Sequence, residues 1–383
     1  MKHNILFISS LDISGNRKES DGVTKKILLQ IRTFSELGYN VDYIYRLDSK
    51  AYLKHEGESI FLTNHNGVHY KTMTNVYRSL LKISRTLHYD LVYIRYEGNN
   101  IPMWRFLSKI KNDNPETKII AELPTFMKRW EPGTNLRGKI AFILHKIKDN
   151  LYRLPMDYIV TFDNHKRLFG YPTIQIENFA DVEALPLKTN SEENGEFHIL
   201  ALAQMTPSHG FDRIIQGLYA YYQKNHNVNV ILHLVGNGTI LDQWQELTNR
   251  LSLERHVIFH GALHGTKLDQ LFNKCNIGAA SLAIFRKGCA KASELKIREY
   301  TSRGLPFFYS AEEPQIKDQK FCLKVPHDET PIDIQSIMDF YYSTNWEKEK
   351  YEMHNFAVSN FSCSTQTKYI LNFLKSNHFN QNN

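Results

Sequence analysis

Residues 288–306 read GCAKASELKIREYTSRGLP. Glu294, Lys296, Arg298 and Glu299 fall within six consecutive positions, and Arg286, Lys287 and Lys291 stand just before them. Carboxylates accept hydrogen bonds from sugar or ribose hydroxyls, while lysine and arginine donate to anions. Ser293 can cap a helix by taking an N–H of its first turn. Leu295, Ile297 and Tyr300 give that helix apolar contacts, and Gly304 can end it in a left-handed conformation. A short buried strand is expected over 305–309. A helix that opens at a sheet's carboxyl edge turns its N–H groups toward anions. The stretch therefore suits a ligand of the nucleotide type, rich in phosphate and hydroxyl groups. The same residues would also serve as a surface helix laced with i,i+3 and i,i+4 ion pairs.

The elements that must position these residues follow a regular beat. A strand is expected over 4–8, then a polar loop holding Gly15 and Gly22. A helix over 23–37 follows, with Ile27, Leu28, Ile31, Phe34 and Leu37 at helical spacing. Gly38 stops it, and 41–45 is the next strand. Such a unit opens a doubly wound α/β sheet. Its loop lacks GxGxxG, so a dinucleotide is not implied. Strands are expected over 59–63 and 68–71, with a hairpin around Asn66-Gly67. Then come a helix (76–87), a strand (91–95), a helix (101–110) and a strand (118–122). Ligands of open α/β sheets gather outside the carboxyl ends of strands. Glu122, at such an end, can face a substrate hydroxyl or pair with a nearby Lys or Arg.

Over 136–154 an apolar stripe from Leu136 to Leu154 runs beside Arg137, Lys139, Lys146, Lys148 and Arg153. Such a basic amphipathic helix packs on its own sheet or meets anionic lipid headgroups. Strands over 158–162 and 173–176 close the first half. The span 181–195, with Pro186, Asn190, Asn194 and Gly195, has the composition of a linker. The beat then starts again. Strands are expected over 198–203, 229–235, 257–260, 277–282 and 321–325. The helices alternating with them are expected over 210–224, 239–251 and 267–274, and three more over 331–342, 346–360 and 365–375.

The chain has 383 residues, 42% hydrophobic and 23% charged. These values suit a globular protein of two or three domains. No run approaches the roughly 18 apolar residues of a membrane span. The apolar run from Ile5 to Ile8 is too short for the core of a secretion signal. The four cysteines form no CxxC pair, so neither a zinc site nor a disulfide framework is indicated, and a reducing cytoplasm fits. Formal net charge is +7. Nine Lys/Arg against four Asp/Glu lie between Phe126 and Leu168. Such clustering suits nucleic acid, anionic lipid or an acidic substrate, but no nucleic-acid motif accompanies it.

Residues 288–306, the HGFDR run at 209–213 and the VGNG turn at 235–238 together resemble the nucleotide-sugar half of a GT-B glycosyltransferase. The resemblance is to the large retaining family 4 and covers nearly the whole chain. It implies an α/β chain of two Rossmann-like doubly wound domains facing a central cleft, with a C-terminal helix crossing back to the first. The expected divisions are 1–180 for the acceptor side, 181–195 for the linker, 196–360 for the donor side, and 361–383 for the crossing helix and tail.

In the family two glutamates lie eight positions apart. Glu299 matches the one that holds the ribose. The one that faces the donor sugar is Lys291 here, and Glu294 is the carboxylate that can stand in for it. The family's diphosphate-binding Arg and Lys read Gln204 and His209, with Arg286, Lys287, Lys291 and Lys296 as candidate replacements. His209 is expected to be partly charged near neutral pH. Gly22 matches a glycine that approaches the donor phosphates. Gly210 is a second such glycine, and Gly236 and Gly238 flank a turn for a base or ribose. Arg213 is expected to pair with Asp212, Glu294 or Glu299 rather than touch ligand. Lys291, Glu294 and Glu122 are the candidate catalytic set.

The resemblance further implies sugar transfer with retention, the leaving phosphate taking the acceptor proton, and no metal or other cofactor. Expected partners are a nucleotide-sugar donor, a glycan or lipid-linked acceptor in cell-surface polysaccharide synthesis, and an anionic membrane met by residues 128–153. Nucleic acid is not among them. Peripheral attachment on the cytoplasmic face follows. The other readings are a non-catalytic GT-B-like partner or sugar-binding protein with a degenerate donor site, and a nucleotide-sugar epimerase.

Overall fold

Asn4–Ile8 (β1) is almost wholly buried, as a strand in the middle of a parallel sheet must be. The computed structural model describes residues 3–14, 22–64, 69–83, 88–123, 153–162, 164–189, 195–224 and 228–379. The chain divides into two units, residues 1–177 with 366–383, and residues 178–365.

In the first unit β1 lies between two parallel neighbours, β2 (Asn40–Leu47) and β5 (Leu91–Arg95). The crossover from β1 to β2 contains helix α1 (Gly22–Glu36). Beyond β2 come β3 (Lys50–His55) and β4 (Glu58–Asn64), both antiparallel. Beyond β5 come β6 (Lys118–Leu123), β7 (Tyr158–Thr161) and β9 (Tyr171–Gln175), all parallel, with β8 (Arg167–Leu168) at the far edge. Helices α2 (His69–Ile83) and α3 (Ile101–Asp113) flank this sheet's central strands in sequence. The Phe7 ring stacks on Tyr93 at 5.0 Å, and Phe34 of α1 meets both edge-on, fastening the helix to the sheet.

The hairpin is one turn earlier than the sequence predicts. It closes at Glu56 and Gly57, both with positive φ (48° and 86°), as a tight two-residue hairpin turn requires. Lys50–His55 is a strand because Ala51 and Leu53 are fully buried on one face. From His69 the chain is helical, where a strand over 68–71 is expected. Asn66-Gly67 and the basic stretch up to residue 152 lie outside the described residues.

The second unit holds a fully parallel sheet of order β12-β11-β10-β13-β14-β15. These strands are β10 (Glu196–Leu202), β11 (Asn229–Val235), β12 (Val257–Gly261), β13 (Ile277–Ala279), β14 (Phe307–Tyr309) and β15 (Cys322–Lys324). Helices α4 (Asp212–Tyr222), α5 (Leu241–Arg250), α6 (Thr266–Lys274) and α7 (Leu295–Arg303) alternate with them. Helices α8 (Ile334–Tyr342) and α9 (Trp346–Phe361) follow. Helix α10 (Cys363–Phe379) belongs, from Gln366 on, to the first unit. There Phe373 meets Tyr158 edge-on at 5.3 Å, and Gln366 Oε1 accepts from the Glu177 N–H at 2.9 Å. Among the described residues no helix is long and apolar enough to cross a membrane.

Each sheet is wound outward from an inner strand in one direction and then in the other. The strand order therefore reverses between β1 and β5, and again between β10 and β13. Ligands of such sheets bind outside the carboxyl ends at these reversals.

Candidate functional site

At the second reversal the loops after β10 and β13 touch. Gly210 has φ +66°, and a β-carbon on it would lie 2.6 Å from that of Ala283. The Leu282 N–H donates to the His209 carbonyl at 2.8 Å. The buried Arg213 guanidinium donates to the carbonyls of Leu282 (2.5 Å), Thr330 (2.8 Å) and Pro326 (3.0 Å). Its role is structural, as expected, but its main partners are carbonyls. Asp328, at 3.7 Å, is its carboxylate neighbour instead of Asp212, Glu294 or Glu299.

Arg286 grips Asp212 through two bonds (3.0 and 2.8 Å), the Pro207 carbonyl (2.8 Å) and Glu329. Its charge is thus already matched by two carboxylates, and it holds the loops instead of standing ready for a diphosphate. The GNG turn has an equally local cause. A β-carbon at Gly236, where φ is +124°, would lie 1.8 Å from the Ala203 carbonyl oxygen, and one at Gly238 would lie 2.0 Å from that of Met205. Both glycines let the turn after β11 lie against the loop after β10.

Helix α7 opens beside these loops. Glu294 is its N-cap residue in extended conformation, but its carboxylate does not cap its own helix. It accepts instead from the Ser281 N–H (3.1 and 3.2 Å) and the Ser281 hydroxyl (2.6 Å). Lys296 Nζ donates to the same hydroxyl at 3.2 Å, stands 3.5 Å from the Glu294 carboxylate, and lies 5.2 Å from the centre of the Phe211 ring. Burial lowers the Lys296 pKa, against the pull of Glu294. Ser281 follows β13, and Ser310, just after β14, donates to the Ser281 carbonyl at 3.4 Å. Neither serine stands out in the sequence. Their one signal is position, just past a strand's carboxyl end.

Ser293, expected as the cap, accepts from Arg298 at 3.1 Å. Arg298 is fully buried, paired with Glu313 at 3.0 Å and stacked on the Phe361 ring at 4.5 Å. Six of the nine residues of α7 are buried, so the surface-helix alternative is set aside.

His209 accepts from the Thr206 N–H at Nδ1 (3.1 Å), which leaves its proton on Nε2. Burial, with Lys296 and Lys287 nearby, pushes its pKa down to about 3. It is therefore neutral at pH 7, where the sequence expects partial charge. Gln204 and Lys287 are exposed. The Lys291 side chain is 71% exposed, with Nζ 4.0 Å from Glu312. Glu299 accepts from Arg303 at 3.1 Å, and Arg303 also reaches Asp269 at 2.8 Å.

In the first unit Gly22 heads α1 with nothing within 4 Å of a β-carbon placed there. Glu122 is fully enclosed. It accepts from Gln30 and Tyr93, each at 2.5 Å, and lies 3.7 Å from Arg95. Of its two readings the coordinates hold the paired one, because β6 is an inner strand and the side chain points into the core. The carboxylate at the first reversal is Glu97, which the sequence did not single out. It follows β5 and accepts from the Ser10 hydroxyl, which follows β1.

No protein-family model matches the chain, nor does any curated protein sequence. Solved structures do. Sucrose-phosphate synthase from Thermosynechococcus elongatus superposes with a TM-score of 0.66 at 11% identity, over 98% of this chain and 100% of that one. A glycosyltransferase from Rickettsia africae gives 0.63 at 14%, over 98% of both chains. Anabaena HepE in complex with UDP gives 0.58 at 16%, over 98% and 100%. The chain has the GT-B fold. At these identities the likeness carries the fold alone, and the chemistry of a GT-B chain rests on its own residues.

Proposed function

We propose that the chain transfers a sugar from a nucleotide-sugar donor to a glycan or lipid-linked acceptor, with retention of configuration. The observation that carries this is the anion-holding set at the β10/β13 reversal. The Ser281 N–H and hydroxyl and the buried Lys296 ammonium already bind one carboxylate there, that of Glu294. Fixed donors and a cation beside a helix start are what a departing diphosphate needs. His209 adds an Nε2–H, a neutral donor that needs no titration to act. Glu299 takes ribose hydroxyls, and Lys291 meets the diphosphate or an acidic donor sugar from the exposed rim. Gly22 lets donor phosphates approach the start of α1. The acceptor hydroxyl is proposed to meet Glu97 and Ser10 in place of the enclosed Glu122. Its proton passes to the leaving phosphate, so no separate base is needed. We place the reaction on the cytoplasmic face of a membrane, with residues 128–153 against anionic lipid.

A second reading has an observation of its own. Arg286 is spent on Asp212 and Glu329, His209 is neutral, and Lys291 stands at an exposed edge. A chain so poor in free cations at the donor site would bind a sugar ligand or a partner transferase without turnover.

The test is release of free nucleotide from a panel of nucleotide sugars, with and without acceptor. Release that requires acceptor supports transfer. Saturable nucleotide binding without release under any pairing supports the second reading. Absence of binding to every nucleotide sugar overturns transfer.

A further inference from the structure

A cavity of about 450 Å³ opens between α2 and α3 of the first unit. Among the described residues it is lined by Thr74, Arg78 and Leu81 from α2, and by Asn100, Ile101, Pro102 and Arg105 at the start of α3. The two helices pack directly, with Tyr77 and Phe106 rings 6.2 Å apart, so the lining is held on rigid elements.

The lining is one-sided in its chemistry. Among the described residues it holds two guanidiniums and no carboxylate. Arg78 donates to Asn75 at 3.1 Å, and neither arginine has a carboxylate partner among the described residues. Asn100 is 6% exposed, and its Oδ1 is used in capping α3 through the Met103 N–H at 2.9 Å. Its amide NH₂ has no acceptor among the described residues. Two guanidiniums without a carboxylate partner and an amide NH₂ beside one cavity present donors only, the chemistry that receives an anion.

We propose that this cavity binds a phosphate ester, Arg78 and Arg105 taking its oxygens from two sides and Asn100 donating from the floor. Guanidinium forks match phosphate oxygens in pairs, and two of them suit a group with three free oxygens better than a carboxylate with two. Leu81, Ile101 and Pro102 give the ester's carbon skeleton an apolar wall. The phosphate belongs to a soluble ester or to a lipid headgroup, and the two sources are separable.

The experiment titrates the full chain with inorganic pyrophosphate by calorimetry, and in parallel sediments it with phosphatidylcholine vesicles with and without phosphatidic acid. Wild type is compared with R78Q, R105Q and, as a charge control, K82Q on the same helix. Both arginines are exposed, so equal thermal midpoints are expected and are checked first. Pyrophosphate binding weakened about tenfold or more by R78Q and by R105Q, but not by K82Q, establishes the site for soluble esters. Phosphatidic-acid-dependent sedimentation lost in the same two variants establishes it for a lipid headgroup. If both variants match wild type with both probes, the proposal is overturned.

Discussion

The Glu294 carboxylate is bound by Ser281, thirteen residues before it, through both the backbone N–H and the hydroxyl. The N-cap residue of α7 is thereby fastened to the segment just after β13, and Lys296 Nζ stands 3.5 Å from the same carboxylate. The start of α7 is thus preorganised around a carboxylate of its own chain.

Glu294→Ala removes the acceptor of two Ser281 donors and the counter-ion of a buried lysine. Breaking such a buried pair costs about 3 kcal/mol. Glu294→Gln keeps an acceptor for Ser281 and should lose less. Urea midpoints rank the three chains, and equal midpoints for wild type and the alanine variant would contradict the structural account.

Glu299→Gln should weaken nucleotide-sugar binding about tenfold, the loss of a charge-assisted hydrogen bond. Its partner Arg303 keeps Asp269 at 2.8 Å, so the fold survives the change. Calorimetric titration decides it, and unchanged affinity removes Glu299 from the ribose.

Lys291 is largely exposed, so Lys291→Ala should leave stability within about 0.5 kcal/mol of wild type. Any lost turnover is then functional. Turnover of neutral and acidic donors by wild type, Lys291→Ala and Lys291→Glu separates a working lysine, with both variants impaired, from a bystander, with alanine as active as wild type.

Two glycines should respond oppositely to alanine. Gly236→Ala forces a β-carbon onto the Ala203 carbonyl at a φ that side chains avoid, and should destabilise the second unit by about 3 kcal/mol or more. Gly22→Ala meets open space and should leave the melting temperature unchanged. If Gly22 is where donor phosphate approaches, that variant alone loses donor affinity while remaining folded.

Two buried histidines and the partly buried His260, on adjacent strands, form a chain. His198 Nδ1 lies 3.0 Å from His233 Nε2, and His233 Nδ1 lies 2.9 Å from His260 Nε2. Burial, then the two neighbouring imidazoles, brings His233 down to about 3. An unfolded histidine takes its proton near pH 6.5. Between these values the unfolded chain binds more protons, so stability is full above pH 6.5 and falls as pH drops toward 3. The His233 share is about 2 kcal/mol at pH 5. Denaturant midpoints at pH 8, 6 and 5 should decline accordingly, with a shallower decline in His233→Gln. A flat profile would show that His233 is not held neutral.

The alternation of strands and helices was legible because buried parallel strands are apolar runs, as in Ile5–Ile8 of β1 and Leu91–Ile94 of β5. The strand β3 escaped because its two buried residues, Ala51 and Leu53, are set among Lys50, Lys54 and His55. At the site the glycines were legible as places of close approach, although what approaches Gly210, Gly236 and Gly238 is the chain's own backbone. The charged residues were not. Sequence spacing did not reveal that Arg213 and Arg298 are fully buried, where carbonyls, a carboxylate and an aromatic face await them from other segments, or that Lys296 is bound to Ser281 beside Glu294. The Ser281–Glu294 contact and the Ser10–Glu97 contact are tertiary, and no local periodicity encodes either.

Residues 366–379 lie in the first unit although the whole second unit precedes them in the chain. During synthesis from the amino end, the first unit therefore leaves the ribosome without a place-holder for its last helix, and Tyr158 waits for Phe373 across more than two hundred intervening residues. The second unit can complete its sheet first. Completion of the earlier half thus depends on the helix that follows the second unit, so that a chain cut near residue 365 keeps all of the second unit and leaves the first without residues 366–379.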